Sequence, residues 1–480
     1  MESVFQIIWY VLFSFCFFFS CYHVFLALVG MVFHTQKYPL VEDQMKFCIF
    51  VPCHNEEAVI GATVGNLSKI NYTPEFFDIY FIADNCSDQT AERIRKSIYS
   101  LNILNFHVWE RNVTDPSKKG KPHAMRWGID RLEAENRFYE SYDMFMILDA
   151  DNFVDPDILK HMNSQYLHYK EKKRPVMIQA YLDSKNKNSL VARGYFASYR
   201  LTNGFFQLSR HKLGLVPAIG GTGFAVTTCF LKEIGGYNCQ SLTEDLEFQA
   251  IATLHGKTIA YNHNVRIYDE KPTGIVQSAV QRTRWSQGHW YIYFKYTWRI
   301  LLRMFNPKEI KSFFKRFDML VYLASMFFLI LSVLYMVYSG AMLLFEVAIP
   351  SFEWMRVFSW MGIFTILLFP ISSLYDGPRK EKHWILIDFI PNMIANFLVA
   401  LICIYADVVG LFKCGNQKVW VKTKHKVTAI TYAMEDGASE ETPVIADAAS
   451  ENLISEPSAE EVTLEASEAS SPESAVELNV

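Results

Sequence analysis

Hydrophobic positions run almost unbroken through the first 36 residues. From Ser3 to Gln36 there is no Asp, Glu, Lys or Arg, and the run IIWYVLFSFCFFFSCYHVFLALVGMVF exceeds the ~20 residues a helix needs to cross a bilayer. A cleaved signal peptide would have a basic start, a shorter apolar core and a small-residue cleavage site. Glu2 and the bulky Phe-rich run fit none of these, so 1–36 is read as an uncleaved transmembrane anchor.

Between residues 46 and 290 the pattern changes. Short β-type runs, KFCIFV (46–51), FDIYFIA (77–83), DMFMIL (143–148) and VMIQA (176–180), alternate with helical stretches after Asn55, Asp88, Gly120 and Pro156. That alternation predicts an α/β domain with a mostly parallel sheet flanked by helices. Such sheets bind ligands beyond the carboxyl ends of their strands, where this sequence places Glu56 and Glu57, Asp84, and Asp149 and Asp151. No GxGxxG or GxxxxGK[ST] follows a strand, which disfavours a dinucleotide cofactor or a P-loop.

Apolar stretches return over 318–412. Residues 319–345 and 357–375 are uncharged, and 385–412 is apolar except for Asp388, Asn392, Asn396 and Asp407, with Pro391 able to break it. Ahead of them, 291–317 mixes aromatic and basic residues as interfacial amphipathic helices do. The basic stretches KSFFKRF (311–317), PRKEKH (378–383) and KVWVKTKHK (418–426) contrast with the near-neutral EVAIPSFEWMR (346–356), which predicts a multi-pass cell-membrane protein with its catalytic domain in the cytoplasm. This orientation gives 385–412 the wrong parity for a crossing, so it is expected to be re-entrant or interfacial. The basic segment 413–432 then lies in the cytoplasm.

Composition changes the picture at the C-terminus. The 480 residues carry a formal net charge of -4, yet 13 of the 50 acidic residues fall in 435–480, leaving 46 basic against 37 acidic residues elsewhere. The stretch 433–480, rich in Ser, Ala and Glu, cannot bury enough apolar surface to order itself and is read as disordered. Nine cysteines show no CxxC pair and no metal-ligand spacing, as in a reduced compartment. Nucleic acid is not an expected partner.

Three motifs carry candidate chemistry. In LDADN (148–152) two Asp at the end of an apolar strand can hold a hard divalent cation while leaving coordination sites for phosphate; alone, the motif also suits a turn before Pro156. In LTEDLEF (242–248) the acidic pair precedes a helical run, where Thr243 could serve simply as a cap. In QRTRWSQGHW (281–290) Gln281, Arg284 and Trp285 share one helical face, and a planar Arg suits diphosphate as an indole suits a sugar ring.

Taken together and in order, VPCHNEE, Asp84, DAD, TED and QxxRW between an anchor and a group of membrane segments resemble the membrane-bound family 2 glycosyltransferases, the group of the cellulose, hyaluronan and poly-N-acetylglucosamine synthases. GKPHA (120–124), IGGTGF (219–224) and WVKTK (420–424) look like further elements of that family. The resemblance implies a GT-A domain using a UDP-sugar and Mg2+ or Mn2+. By that likeness Pro52, Glu56, Glu57, Asp84, Lys121, Asp149, Gln281 and Arg284 would bind the nucleotide sugar, and Asp149 and Asp151 the metal. Asp245 would be the general base beside Glu244, and Gly221, Thr222 and Trp285 would meet the acceptor. The sequence departs from the family in carrying Asp84-Asn85 for the usual acidic pair and in its shorter membrane portion, which puts a wide secretion channel in doubt. Three readings follow: a processive synthase of a β-linked extracellular polysaccharide, single-sugar transfer to a lipid, and a transporter or scaffold with a degenerate nucleotide-binding domain.

Overall fold

A computed structural model describes residues 2–32, 37–115, 118–135, 137–239, 241–350, 355, 357–359, 361, 385–417, 427, 429 and 430. The expected membrane segment at 357–375 lies almost wholly outside these residues, and WVKTK and the stretch 433–480 lie entirely outside them.

Eight strands form one sheet: β1 (Phe47–Cys53), β2 (Phe77–Asp84), β3 (Phe106–Arg111), β4 (Met144–Ile147), β5 (Phe153–Val154), β6 (Met177–Ser184), β7 (Phe224–Thr227) and β8 (Ile259–Asp269). Their order is β3-β2-β1-β4-β7-β6-β8-β5. The pairs β1–β2, β1–β4, β2–β3 and β6–β8 are parallel, while β4–β7, β6–β7 and β5–β8 are antiparallel. All four strands expected from the sequence are present. The central strands read as continuous apolar runs because helices cover both faces. Phe50, Ile82, Phe145 and Ile147 pack with the helix Lys121–Glu133, and Ile49, Val51, Ile79 and Phe81 pack with the helices Ile60–Leu67 and Thr90–Ser100 on the other side.

The helix Ile275–Met304 runs unbroken through residue 290, where a boundary between catalytic and interfacial parts was expected. It is apolar on two opposite sides. Ile292, Tyr296, Ile300 and Met304 are buried in the domain core, while Phe294, Trp298 and Leu302 are exposed, with Phe305 just beyond the helix continuing that stripe. The stretch expected as one segment at 319–345 is two helices, Phe313–Leu323 and Ser325–Leu344.

Of the two forms expected for 385–412, re-entrant or interfacial, the structure does not show the first. A re-entrant segment needs two limbs, and Ile385–Lys413 is a single helix that continues through Pro391. Proline inside a helix removes one internal hydrogen bond, and packing on two other helices compensates. A Cβ at Gly194 would stand 2.5 Å from Ala395 O, and one at Gly410 would stand 2.8 Å from Gln287 N. Only hydrogen at these positions lets the backbones approach so closely. Trp290 Nε1 also donates to Asp407 O at 2.9 Å. The opposite face carries exposed Ile390, Ile394, Phe397, Leu401, Tyr405, Val408 and Phe412 at helical spacing. Among the described residues three helical stretches are long and apolar enough to cross a membrane: Val4–Val32, Ser325–Leu344 and Ile390–Lys413.

Candidate active site

The carboxyl end of β4, the 219–224 loop and the starts of the helices Lys121–Glu133 and Glu244–Leu254 bring most of the expected residues together. Lys121, at the first position of its helix, is the meeting point. Its Nζ donates to Asp149 Oδ1 at 2.7 Å and to Gly221 O at 2.6 Å, and it stands 3.4 Å from Glu244 Oε1. Burial pulls its basicity down, but Asp149 and Glu244 more than offset this and hold the ammonium above its ordinary pKa. One side chain therefore joins the DAD turn, the 219–224 loop and the TED motif.

Asp245 is the most perturbed carboxyl in this group. Burial first, and then the Glu244 carboxylate, push its pKa up to about 7, against Lys121 and Arg284. A half-buried acid tuned near neutrality suits proton transfer at cellular pH. Gly221 makes room for it: with φ of 77° the residue lies in the left-handed region, and a Cβ there would sit 3.3 Å from Asp245 Oδ2. Burial lowers the basicity of Arg284, which Glu244, Asp149 and Asp245 resist. Thr243 stands just before the helix, yet its hydroxyl makes no capping bond, so the simple cap does not account for the motif. The TED and QxxRW helices are bolted together by Glu247 Oε1, which accepts from Lys295 Nζ at 2.6 Å and Tyr296 Oη at 2.9 Å.

At the DAD turn, the Asp149 N–H donates to Asn152 Oδ1 and to Thr222 Oγ1, both at 3.0 Å. Thr222 is buried and its hydroxyl in turn donates to Asn152 Oδ1, so it positions the turn from inside rather than presenting itself to an acceptor. Asp151 is also buried and accepts from Glu270 N at 3.0 Å. Asp149 and Asp151 offer only oxygen, the donor chemistry of a hard divalent cation. Among the described residues no cluster of three or more His, Cys, Asp or Glu side chains is arranged to hold a metal by itself.

The remaining expected residues are placed differently. Pro52 is half-buried within β1. Asp84 accepts from Arg111 Nη1 at 2.5 Å, Asn85 Nδ2 at 2.7 Å and Gly120 N at 3.2 Å, so any base contact would share oxygens already engaged. The Glu56 N–H donates to Thr90 Oγ1 at 2.8 Å. Glu57 is turned to the helix Thr90–Ser100, where its carboxylate accepts from Gln89 N and Arg93 Nε, each at 3.2 Å. Gln281 Oε1 accepts from Tyr195 Oη at 3.4 Å, and Trp285 meets Tyr195 edge-on at 6.4 Å beside Val399 of the C-terminal helix.

Several residues at the site were not singled out from the sequence. Burial, opposed by Lys271 and reinforced by Asp151 and Asp149, pushes Asp269 up to about 6. Burial takes Lys185 down to about 8, resisted by Asp151, Glu270 and Asp269. The signal for Asp269 was available: YDEKP puts acids at the end of a strand, as the other site acids are.

The family described as "Glycosyltransferase like family 2" matches residues 44–288, just over half of the chain. The chain belongs to glycosyltransferase family 2. The glycosyltransferase is 26% identical over 306 residues to a beta-monoglucosyldiacylglycerol synthase of Trichormus variabilis, covering 63% of this chain and 60% of that protein. It is 26% identical over 248 residues to the poly-beta-1,6-N-acetyl-D-glucosamine synthase of Staphylococcus aureus, covering 52% of this chain and 55% of that one. The match thus spans about 60% of the length of the first of these relatives. Among solved structures, the mannosyltransferase PcManGT from Pyrobaculum calidifontis, in complex with GDP-Man and Mn2+, aligns with a TM-score of 0.51 at 15% identity over 82% of this chain and 99% of that one. That likeness shows the GT-A-like fold.

Proposed function

We propose that this family 2 glycosyltransferase moves a hexose or N-acetylhexosamine from a UDP-sugar onto a growing β-linked extracellular polysaccharide at the cytoplasmic face of the cell membrane. The observation that carries this reading is the convergence on Lys121 of Asp149, Gly221 and Glu244 beside a base tuned to about 7. Lys121 and Arg284 would supply the positive charge that a leaving diphosphate needs. Asp245 takes the proton of the acceptor hydroxyl as its oxygen attacks the anomeric carbon. The bond to UDP breaks on the opposite side, so an α-linked donor gives a β-linked product. Asp149 and Asp151 would hold Mg2+ or Mn2+, which neutralises charge on the departing diphosphate. Gly221, without a side chain, leaves room beside Asp245 for the acceptor hydroxyl, and Trp285 would meet the acceptor sugar.

The three apolar helices and the exposed stripe Phe294, Trp298 and Leu302 suit a multi-pass protein whose catalytic domain rests on the bilayer. The domain divisions are proposed as 1–36 anchor, 46–290 catalytic, 291–317 interfacial and 318–412 membrane, with 413–432 and 433–480 beyond. Single-sugar transfer to a lipid is the second reading. Similarity to a beta-monoglucosyldiacylglycerol synthase favours it. Incubation of membranes bearing the protein with labelled UDP-glucose or UDP-N-acetylglucosamine and Mn2+ or Mg2+, beside Asp245→Asn, separates the two. A high-molecular-weight glycan supports the first, a single-sugar lipid the second, and no transfer from any nucleotide sugar rejects both.

A further inference from the structure

The loop that brings Gly221 to Lys121 and Asp245 has an unusual support. Every backbone N–H from residue 216 to 220 donates to a side chain of a different element, Pro217 having none to give. Val216 N reaches Asp318 Oδ2 at 3.0 Å, Ala218 N reaches Gln207 Oε1 at 2.8 Å, Ile219 N reaches Gln249 Oε1 at 3.2 Å, and Gly220 N reaches Gln179 Oε1 at 3.0 Å. Buried amides need partners, and here the partners are side chains rather than a strand ladder. A change of one side chain therefore changes what holds the loop.

The first of these supports leads into the membrane portion. Asp318 is fully buried; besides Val216 N it accepts from Arg210 Nε at 2.9 and 3.2 Å and from Tyr22 Oη at 2.5 Å. Tyr22 belongs to the N-terminal helix Glu2–Val32. That helix makes a second close approach to the domain at Gly30, where a Cβ would stand 2.7 Å from Phe205 Cα, two residues before Gln207. Two of the four supports of the loop are thus set by elements that the N-terminal helix touches.

We propose that Asp318, oriented by Tyr22 and Arg210, is a positioning residue that fixes the base of the 219–224 loop, so that the N-terminal membrane helix sets where the acceptor hydroxyl meets Asp245. The proposal deepens the transferase reading and rests on it for the role of the loop. An ion pair alone does not account for the arrangement, because buried pairs are often replaceable by apolar groups without loss. What an apolar group cannot replace is the oxygen that receives Val216 N.

Two double variants of the full chain in lipid nanodiscs isolate that oxygen: Asp318→Asn with Arg210→Met, and Asp318→Leu with Arg210→Met. Neither leaves a buried charge unpaired, and they differ in one near-isosteric side chain. With UDP-glucose and UDP-N-acetylglucosamine as donors, the Leu form should incorporate about tenfold less sugar per UDP released, while the Asn form stays within about twofold of the unaltered protein. Amide exchange over 216–224 should speed up about tenfold in the Leu form alone. Equal incorporation ratios and equal exchange in the two forms overturn the proposal. Should the Leu form fail to fold, Tyr22→Phe should lower the ratio about threefold, and no change there overturns it as well. Absence of UDP release by the unaltered protein would reject the transferase reading instead, while the exchange comparison would still decide the hold on the loop.

Discussion

Two clusters of charge in this molecule, around Asp318 and around Asp245, are built on opposite plans. Around Asp318 the account is closed: one carboxylate meets one guanidinium, a phenol and a backbone N–H, each with a defined donor. Around Asp245 it is open. Asp149, Glu244 and Asp245 face Lys121 and Arg284; burial and then Glu244 hold Asp245 near neutrality, and burial makes the Arg284 guanidinium less basic although the three carboxylates resist it. The difference teaches which cluster serves the fold and which awaits a ligand, since a site meant to stabilise a passing charge cannot neutralise itself beforehand.

Asp245→Asn gives the sharpest test of the open cluster. Transfer should fall about 100- to 10,000-fold, measured as labelled sugar incorporated, while the thermal unfolding midpoint does not drop, because the substitution removes a charge that burial and Glu244 disfavour. At the closed cluster stability should fall as well. Asp318→Ala leaves Arg210 buried without its carboxylate and should cost about 3–5 kcal/mol of stability, read from denaturation in nanodiscs. A loss of activity at Asp318 without loss of stability, or the converse at Asp245, would break the comparison.

Acidity separates the clusters further. Because Asp245 has a folded pKa of about 7, above its unfolded value, the native state takes up a proton as pH falls from about 7 toward 4, and this group then adds stability. Transfer should run the other way, rising with pH through about 7 as the base ionises. Both trends should be absent from Asp245→Asn and so survive in the difference between it and the unaltered protein, followed by thermal scans and initial rates from pH 5 to 8. The smallest effect belongs to Tyr22→Phe, which removes one of several donors to Asp318 and should cost about 1 kcal/mol.

The two clusters also differ in how far the sequence reveals them. Asp84, Asp149 and Asp151 each follow a strand visible as an apolar run, so the donor side follows from local pattern plus the rule that sites form at strand ends. Strands β3, β5, β7 and β8 escaped because they are short, mixed with polar residues or placed by antiparallel pairing across the sheet. FHVWER and IAYNHNVRIYD carry no clean alternation. The Tyr22–Asp318 contact joins residues 296 positions apart, and Arg111 pairs with Asp84 only because β2 and β3 lie side by side. Such pairings belong to the tertiary fold and leave no trace in spacing. Pro391 misled for a related reason: its helix is held by neighbours that the local sequence does not name.

The helix Ile275–Met304, apolar on opposite sides, leaves little freedom for drift over generations. Most surface helices can exchange their outward residues almost at will, since water accepts nearly any side chain. Here inward positions such as Ile292 and Ile300 must fit a packed interior, and outward ones such as Trp298 and Leu302 must stay oily. Descendants of this protein should therefore diverge fastest elsewhere, and a polar replacement at Trp298 would alter how deeply the enzyme rides in its surroundings long before it altered the chemistry.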